Sequence, residues 1–305
     1  MRRAFTLVEL LIVIAVLLIV GGGLFYAYRD IFQKGTSQAL VAKQEQDVQF
    51  IVSTLVSELS SVGFGVDRTR LVVLNNGTNL SDVQSSNAVI AISGSEIDFL
   101  SLATRQGSDI GCWGVTDAGK NVTTQARDYF FRPCSSASWG LPADNSRVVC
   151  LSPITKQDIT SSCANALVFN VEDKIYPADF VTRYYLGVSP TASKLCASGT
   201  QTLFKRVGAD TSQPLVDCVG AFRVRYIIPD PTKGITYSDS VPNSDISNLL
   251  GIRLCILLQV GGRQSVQSNV PNFSDYCGGA IVMPTDWRYY RWSIAEVDIP
   301  LKNIR

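Results

Sequence analysis

The chain contains no histidine. That absence removes the usual general base near neutral pH, the Ser/His and Cys/His nucleophile pairs, and the commonest zinc ligand. Enzyme readings lose most of their ordinary machinery, and no residue is assigned a catalytic role. A one-signed electrostatic field is missing too: 27 basic and 26 acidic residues leave a formal charge of +1, with the basic residues scattered. Nothing in that balance draws in nucleic acid directly. No CxxC pair occurs, no cysteine precedes Cys112 and no proline precedes Pro133.

The eight cysteines, Cys112, Cys134, Cys150, Cys163, Cys196, Cys218, Cys255 and Cys277, are spaced by 22, 16, 13, 33, 22, 37 and 22 residues. No zinc-ribbon or finger pattern has that spacing, so neither a metal site nor a cofactor is expected. An even count confined to a segment that leaves the cytoplasm points to disulfides in an oxidising compartment. Buried free thiols, which pack like small hydrophobes, are the alternative. Eight cysteines allow about 105 pairings. Sequence-local pairs are attractive among them: Cys112 with Cys134, Cys150 with Cys163, and Cys255 with Cys277 would each clip a loop beside an expected strand.

What the chain does have is an apolar run at its start. After Met1-Arg2-Arg3-Ala4 comes Phe5-Thr6-Leu7-Val8-Glu9-Leu10, and no charge occurs from Leu10 to Ala27. A helix from Phe5 to Tyr28 would measure roughly 36 Å, enough to cross a hydrocarbon core of ~30 Å. Arg2 and Arg3 stay cytoplasmic by the charge rule, which gives an N-in, C-out topology. An ordinary signal peptide would be cut after the apolar run, and Gly21-Gly22-Gly23-Leu24 offers such a site. Glu9 argues against both that reading and a plain anchor. A carboxylate inside an apolar span costs ~2.5 to 3.5 kcal/mol at mid-membrane, so it needs a partner.

The stretch Ala4/Phe5-Thr6-Leu7-Val8-Glu9-Leu10-Leu11 resembles the class III signal and assembly motif of type IV pilins and type II secretion pseudopilins. The resemblance implies that a prepilin peptidase cuts between Ala4 and Phe5 and N-methylates Phe5. It also implies that Glu9 pairs with the Phe5 amine of a neighbouring subunit. The residue before the cut is usually Gly in that family and here is Ala4. Its major subunits carry a helix-kinking proline near the end of the membrane segment; this chain has Gly21-Gly22-Gly23 instead, where a local melt or bend is expected.

Beyond the apolar run, Val41, Val48, Val52, Leu55, Leu59 and Val62 form one stripe of an amphipathic helix, with Lys43, Gln46, Asp47, Ser53 and Ser57 opposite. Gly35 is a possible interruption, and Gly63 and Gly65 are stop signals. After Gly65 the pattern turns to short apolar or alternating runs between polar turns. Strands are expected over 70–74, 88–92, 96–102, 147–151, 166–171, 179–187, 203–207, 221–228, 251–260 and 291–299. The segment carrying Asp230, Lys233 and Asp239 is expected to be a solvated loop, and Trp113, Trp139, Trp287 and Trp292 to be core or rim aromatics. The fold class is therefore α+β: a long N-terminal α-helix, with a membrane half and an amphipathic half, packed on a β-rich antiparallel head. Its parts are a leader over 1–4, the membrane and assembly half over 5–29, the amphipathic half over 30–65, and an extracytoplasmic head over 66–305.

Within the head, Gln213 to Val219 with Phe222-Arg223-Val224-Arg225-Tyr226, Asp245 to Leu254, and Arg288 to Trp292 resemble stretches of PilW-type minor pilins. Ser57-Glu58-Leu59 and Gly63-Phe64-Gly65 agree with them. That resemblance implies a minor pilin held in the inner membrane before assembly and incorporated at low copy number into a pilus, with a part in initiating assembly and a place at the tip. Its partners would be other minor and major pilins, the prepilin peptidase and the inner-membrane assembly platform. A J-type minor pseudopilin of type II secretion is the alternative, and a membrane-tethered adhesin the second. Residues 66–200 resemble nothing nameable.

Overall fold

A computed structural model describes residues 7–70, 72–75, 83, 88–105, 110–123 and 147–304, without the side chains of 8–10, 30, 33–34 and 36–44. It separates into two compact units, Met1–Asp47 and Val48–Arg305.

Helix α1 runs Leu7–Ser60. Within the first unit it is unbroken. Gly21, Gly22, Gly23 and Gly35, where a melt or interruption was expected, are all helical, and a Cβ at any of them would meet nothing within 4 Å. Four glycines at ~1 kcal/mol each are outweighed by the cooperative hydrogen bonding of a helix this long.

In the second unit the last turns of α1 bury one stripe. Val48, Leu55 and Leu59 are inside, as is Val62 just beyond the helix, whereas Ser53 and Ser57 are exposed. The helix stops where glycine permits a left-handed backbone: Gly63 has φ +79° and Gly65 φ +71°. Space forbids a side chain there as well, because a Cβ on Gly63 would run into the Ile304 side chain and one on Gly65 into Leu102. The turn then locks to the sheet, with Gly63 N–H donating to Leu100 O and Leu102 N–H to Phe64 O, both at 3.0 Å.

The described strands are, in chain order, β1 (Val72–Asn75), β2 (Ala88–Ser93), β3 (Glu96–Leu100), β4 (Trp113–Thr116), β5 (Val122–Thr123), β6 (Val148–Leu151), β7 (Leu167–Asn170), β8 (Val181–Gly187), β9 (Gln201–Val207), β10 (Gln213–Asp230), β11 (Gly234–Ser238), β12 (Gly251–Val260) and β13 (Arg291–Pro300). A nine-stranded sheet has the order β1-β2-β3-β8-β9-β10-β12-β13, with β11 paired to β10; a four-stranded sheet has the order β5-β4-β7-β6. Every pairing is antiparallel except β1 with β2, which is parallel. The molecule is thus an α+β protein with an apolar N-terminal helix and a large, mainly antiparallel β head.

Alternation explains how the centre of the large sheet is buried. Phe222, Val224 and Tyr226 of β10 and Ile252, Leu254 and Ile256 of β12 lie on one buried face. On the other, Cys255 and Leu257 join Phe273, Cys277, Trp287 and Tyr290 in a second apolar cluster. The long β12–β13 connection supplies that cover, so β12 is apolar on both sides, which period-two patterning alone does not anticipate.

One expectation is corrected. The segment holding Asp230, Lys233 and Asp239 is not simply a solvated loop, because Gly234–Ser238 forms β11 against the end of β10. Asp230 Oδ1 accepts from the backbone N–H of Thr232 (2.7 Å) and Lys233 (2.9 Å), so the acidic residue caps the turn of a hairpin.

Candidate functional site

The first candidate region is the start of α1. Leu11–Arg29 is a 19-residue span of mean hydropathy 2.4, long and apolar enough to cross a membrane, and none of it is buried inside the protein. Leu17, Ile19 and Phe25 are each more than 60 % exposed. A bare apolar cylinder of that kind is unfavourable in water and calls for lipid or other helices. Ala4 and Phe5 lie outside the described residues. Glu9 sits in the helical backbone, two residues before the apolar span, and its side chain is likewise outside the described set.

The second region is the joint between the end of α1 and the sheet. Glu58 projects from the last turn of the helix and its carboxylate receives Lys205 Nζ at 2.7 Å, from β9. It also accepts the Tyr184 hydroxyl, from β8. Tyr184 is fully buried; burial, reinforced by the Glu58 carboxylate, pushes its hydroxyl pKa well above the usual value. The proton therefore stays on the phenol, where it can be donated to Glu58. Neighbouring contacts close the same joint: Ser61 and Ser101 hydroxyls are 2.8 Å apart, and Asn303 Nδ2 donates to Ser60 O at 3.1 Å. That last bond satisfies one of the carbonyls that a helix C-terminus leaves without a partner.

This joint carries a testable consequence. Glu58→Leu removes the carboxylate and leaves the Lys205 ammonium and Tyr184 hydroxyl without it, so stability should fall by about 3 kcal/mol. The double variant Glu58→Leu/Lys205→Met should regain part of that loss, because the orphaned charge goes too. Urea unfolding of the three proteins measures both effects; a midpoint unmoved by Glu58→Leu would show that the joint is held by apolar packing alone.

Three disulfides are described: Cys150–Cys163, Cys196–Cys218 and Cys255–Cys277, with Cα atoms 5.4, 4.9 and 6.1 Å apart. Cys112 is also disulfide-bonded, while Cys134 lies outside the described residues. The first and third bonds are pairs that sequence proximity favoured. Cys196–Cys218 was not singled out in advance; it follows from the β9–β10 pairing, which sets Gln201 opposite Val219 and brings the two cysteines to one end of that ladder.

Of the tryptophans, Trp287 is buried and stacks on Trp292 with ring centroids 4.4 Å apart. Trp113 is half-buried, and Trp139 lies outside the described residues. Trp113 lines a cavity of 1020 Å³ between the turn after α1, the small sheet and the C-terminal residues, together with Phe169, Arg68, Lys156 and Lys302. Among the described residues no group of three or more His, Cys, Asp and Glu gathers as a metal site would.

Comparison with known proteins bears on the first region. A family model described as the prokaryotic N-terminal methylation motif matches residues 1–25. That motif is the signature of type IV pilins and pseudopilins, which are processed by prepilin peptidase, and it marks a structural protein anchored in a membrane before it assembles with pilins. No curated protein and no solved structure matches the chain.

Proposed function

We propose that this protein is a minor type IV pilin of PilW type: cut between Ala4 and Phe5, N-methylated on Phe5, and held in the inner membrane N-in until Glu9 docks it beside other pilins to help initiate a pilus. The observation that carries the reading is the methylation motif over residues 1–25 at the head of a bare apolar helix. The disulfide-bonded head supports it, being suited to life outside the cytoplasm. On this reading the head works by packing against other subunits at the growing end of the filament. Residues 1–4 are leader, 5–29 the membrane and assembly half, 30–65 the amphipathic half and 66–305 the extracytoplasmic head.

Mass spectrometry of protein extracted from membranes is the test. The expected result is a mature chain beginning at N-methylated Phe5. A terminus near Leu24 would replace the pilin reading with ordinary secretion. Recovery of the processed chain in sheared pili is the result expected of a pilin, and recovery only with a secretion apparatus would favour the J-type pseudopilin instead.

A further inference from the structure

The 1020 Å³ cavity beside the small sheet has two unlike parts, an apolar floor and a basic rim. Four floor residues share one face of that sheet. Trp113 of β4 lies opposite Phe169 of β7, and Leu167, two residues before Phe169 and so on the same face, lies opposite Leu151 of β6. Phe64, in the turn after α1, meets the Phe169 ring edge-on at 5.1 Å. Ile246, Leu250 and Ile304 continue the apolar lining from the C-terminal part of the chain. Leu151, Phe169 and Ile304 are buried, whereas Trp113, Leu167, Ile246 and Leu250 keep part of their surface open.

The charged lining consists of three cations, Arg68, Lys156 and Lys302, against one carboxylate, Asp245, and all four are exposed. None of the three cations makes an ion pair or a side-chain hydrogen bond among the described residues. The carboxylates nearest to them in the chain serve their own turns instead. Asp245 Oδ1 accepts from Ser247 N–H and Asp67 Oδ1 from Thr69 N–H, both at 2.9 Å, and Asp158 Oδ1 accepts from Thr160 N–H at 2.8 Å. A backbone bond from Arg68 N–H to Lys156 O, 2.9 Å long, joins two of the cationic residues. Lys156 has φ +57°, a conformation that glycine adopts at less cost, so the turn by itself gives no reason for a lysine there. Like charges gathered without counter-charges make a positive rim that favours an anion.

We propose that this cavity binds an organic anion with an apolar body. Its carboxylate, sulfonate or phosphate is held at the rim by Arg68, Lys156 and Lys302, and its ring system or acyl chain lies against Trp113, Leu167 and Phe169. The volume is that of a small-molecule site, for which pockets run to about 300 to 1,000 Å³. The lining decides between anions. An inorganic ion would leave the apolar floor uncovered, and a sugar needs many hydrogen-bonding side chains. Few are offered here, and the Asn303 amide already donates to Ser60 O and Val62 O. The rim therefore sets the sign of the ligand and the floor sets its body. This inference concerns the head alone and stands or falls apart from the filament reading above.

The test uses the full-length protein in nanodiscs of phosphatidylcholine. Equilibrium dialysis measures binding of 2-naphthoate and of 2-naphthylmethanol, which carries the same rings without the charge. Naphthoate should bind saturably and at least about tenfold more tightly than the alcohol. The variant Arg68→Gln/Lys156→Gln/Lys302→Gln should bind naphthoate about tenfold or more weakly with its melting temperature unchanged, because these exposed side chains have no partners among the described residues to lose. Repeating the dialysis with phosphatidylglycerol in the nanodiscs distinguishes two sources of the same chemistry. Naphthoate still bound supports a free organic acid as the natural ligand, and naphthoate displaced supports an acidic lipid. Equal affinity for acid and alcohol, a triple variant that binds naphthoate like the parent, or no saturable binding up to about 1 mM would each overturn the proposal.

Discussion

Replacing Cys255 and Cys277 by alanine is expected to move the urea midpoint of the head down by about 1 M or more, and removing all three described disulfides to leave it unfolded at room temperature. Each bond closes 13 or 22 residues, which restrains the unfolded chain by about 3 kcal/mol in the entropy model. Three such bonds amount to roughly 9 kcal/mol, against a typical net stability of 5 to 15 kcal/mol. A loss of ~3 kcal/mol divided by a urea slope of 1 to 3 kcal/mol/M gives the stated shift. The Cys255–Cys277 bond has the larger expected effect because it pins the β12–β13 connection, whose Phe273, Trp287 and Tyr290 cover one face of β12. Reduction of the native protein should follow exposure. Cys150, Cys163, Cys255 and Cys277 are fully buried, whereas Cys196 and Cys218 are half-buried, so a water-soluble phosphine should open Cys196–Cys218 first and the others only as the head unfolds. Thiol counting over time checks the order. A head that keeps its urea midpoint within about 0.3 M after loss of the Cys255–Cys277 pair would show that apolar packing of the connection suffices without the bond.

How much of this could be read from residues alone depended on the range of the interaction. The apolar helix and its buried stripe follow from local patterning, and so do strands such as β12, where ten residues from Gly251 to Val260 alternate or run apolar without a break. The strands that escaped notice are those with weak local signals. In β4, Trp113-Gly114-Val115-Thr116 carries a glycine at its centre, required because a Cβ on Gly114 would collide with Val122 of β5. In β11, charged and polar neighbours masked a strand that exists only because β10 runs on past its pairing with β9 to meet it. The parallel β1–β2 pairing and the place of β13 at the end of the sheet are properties of strand order, which no residue encodes locally. The Glu58–Tyr184–Lys205 joint brings together residues 126 and 147 positions apart from Glu58; a single glutamate beside an apolar stripe was its only trace. At the N-terminus the reverse held, because a signal read by a peptidase must be written in consecutive residues, and residues 1–25 match their family model as a linear motif.

Glu9→Val is expected to leave the protein in the membrane at normal or higher level and to cut its incorporation beside other pilins about a hundredfold. The two effects have opposite signs because the carboxylate has opposite roles in the two states. In the lone subunit it sits two residues ahead of a 19-residue apolar span, so valine relieves a penalty that reaches ~2.5 to 3.5 kcal/mol at mid-bilayer. In the assembled state, on the reading proposed above, the carboxylate meets the Phe5 amine of a neighbour. Losing one member of such a desolvated pair costs about 3 to 5 kcal/mol, because the other is left buried and charged, and 1.4 kcal/mol is a factor of ten. Glu9→Gln separates charge from shape: it keeps the side chain's length and hydrogen-bonding capacity and should still lose most of the incorporation. The measurements are the membrane fraction of the protein and the yield of crosslinks to neighbouring pilins, both in whole cells. If Glu9→Gln crosslinks as well as the parent chain, the carboxylate is not the docking group, and recognition between subunits must come from the apolar faces of the helices or from the head.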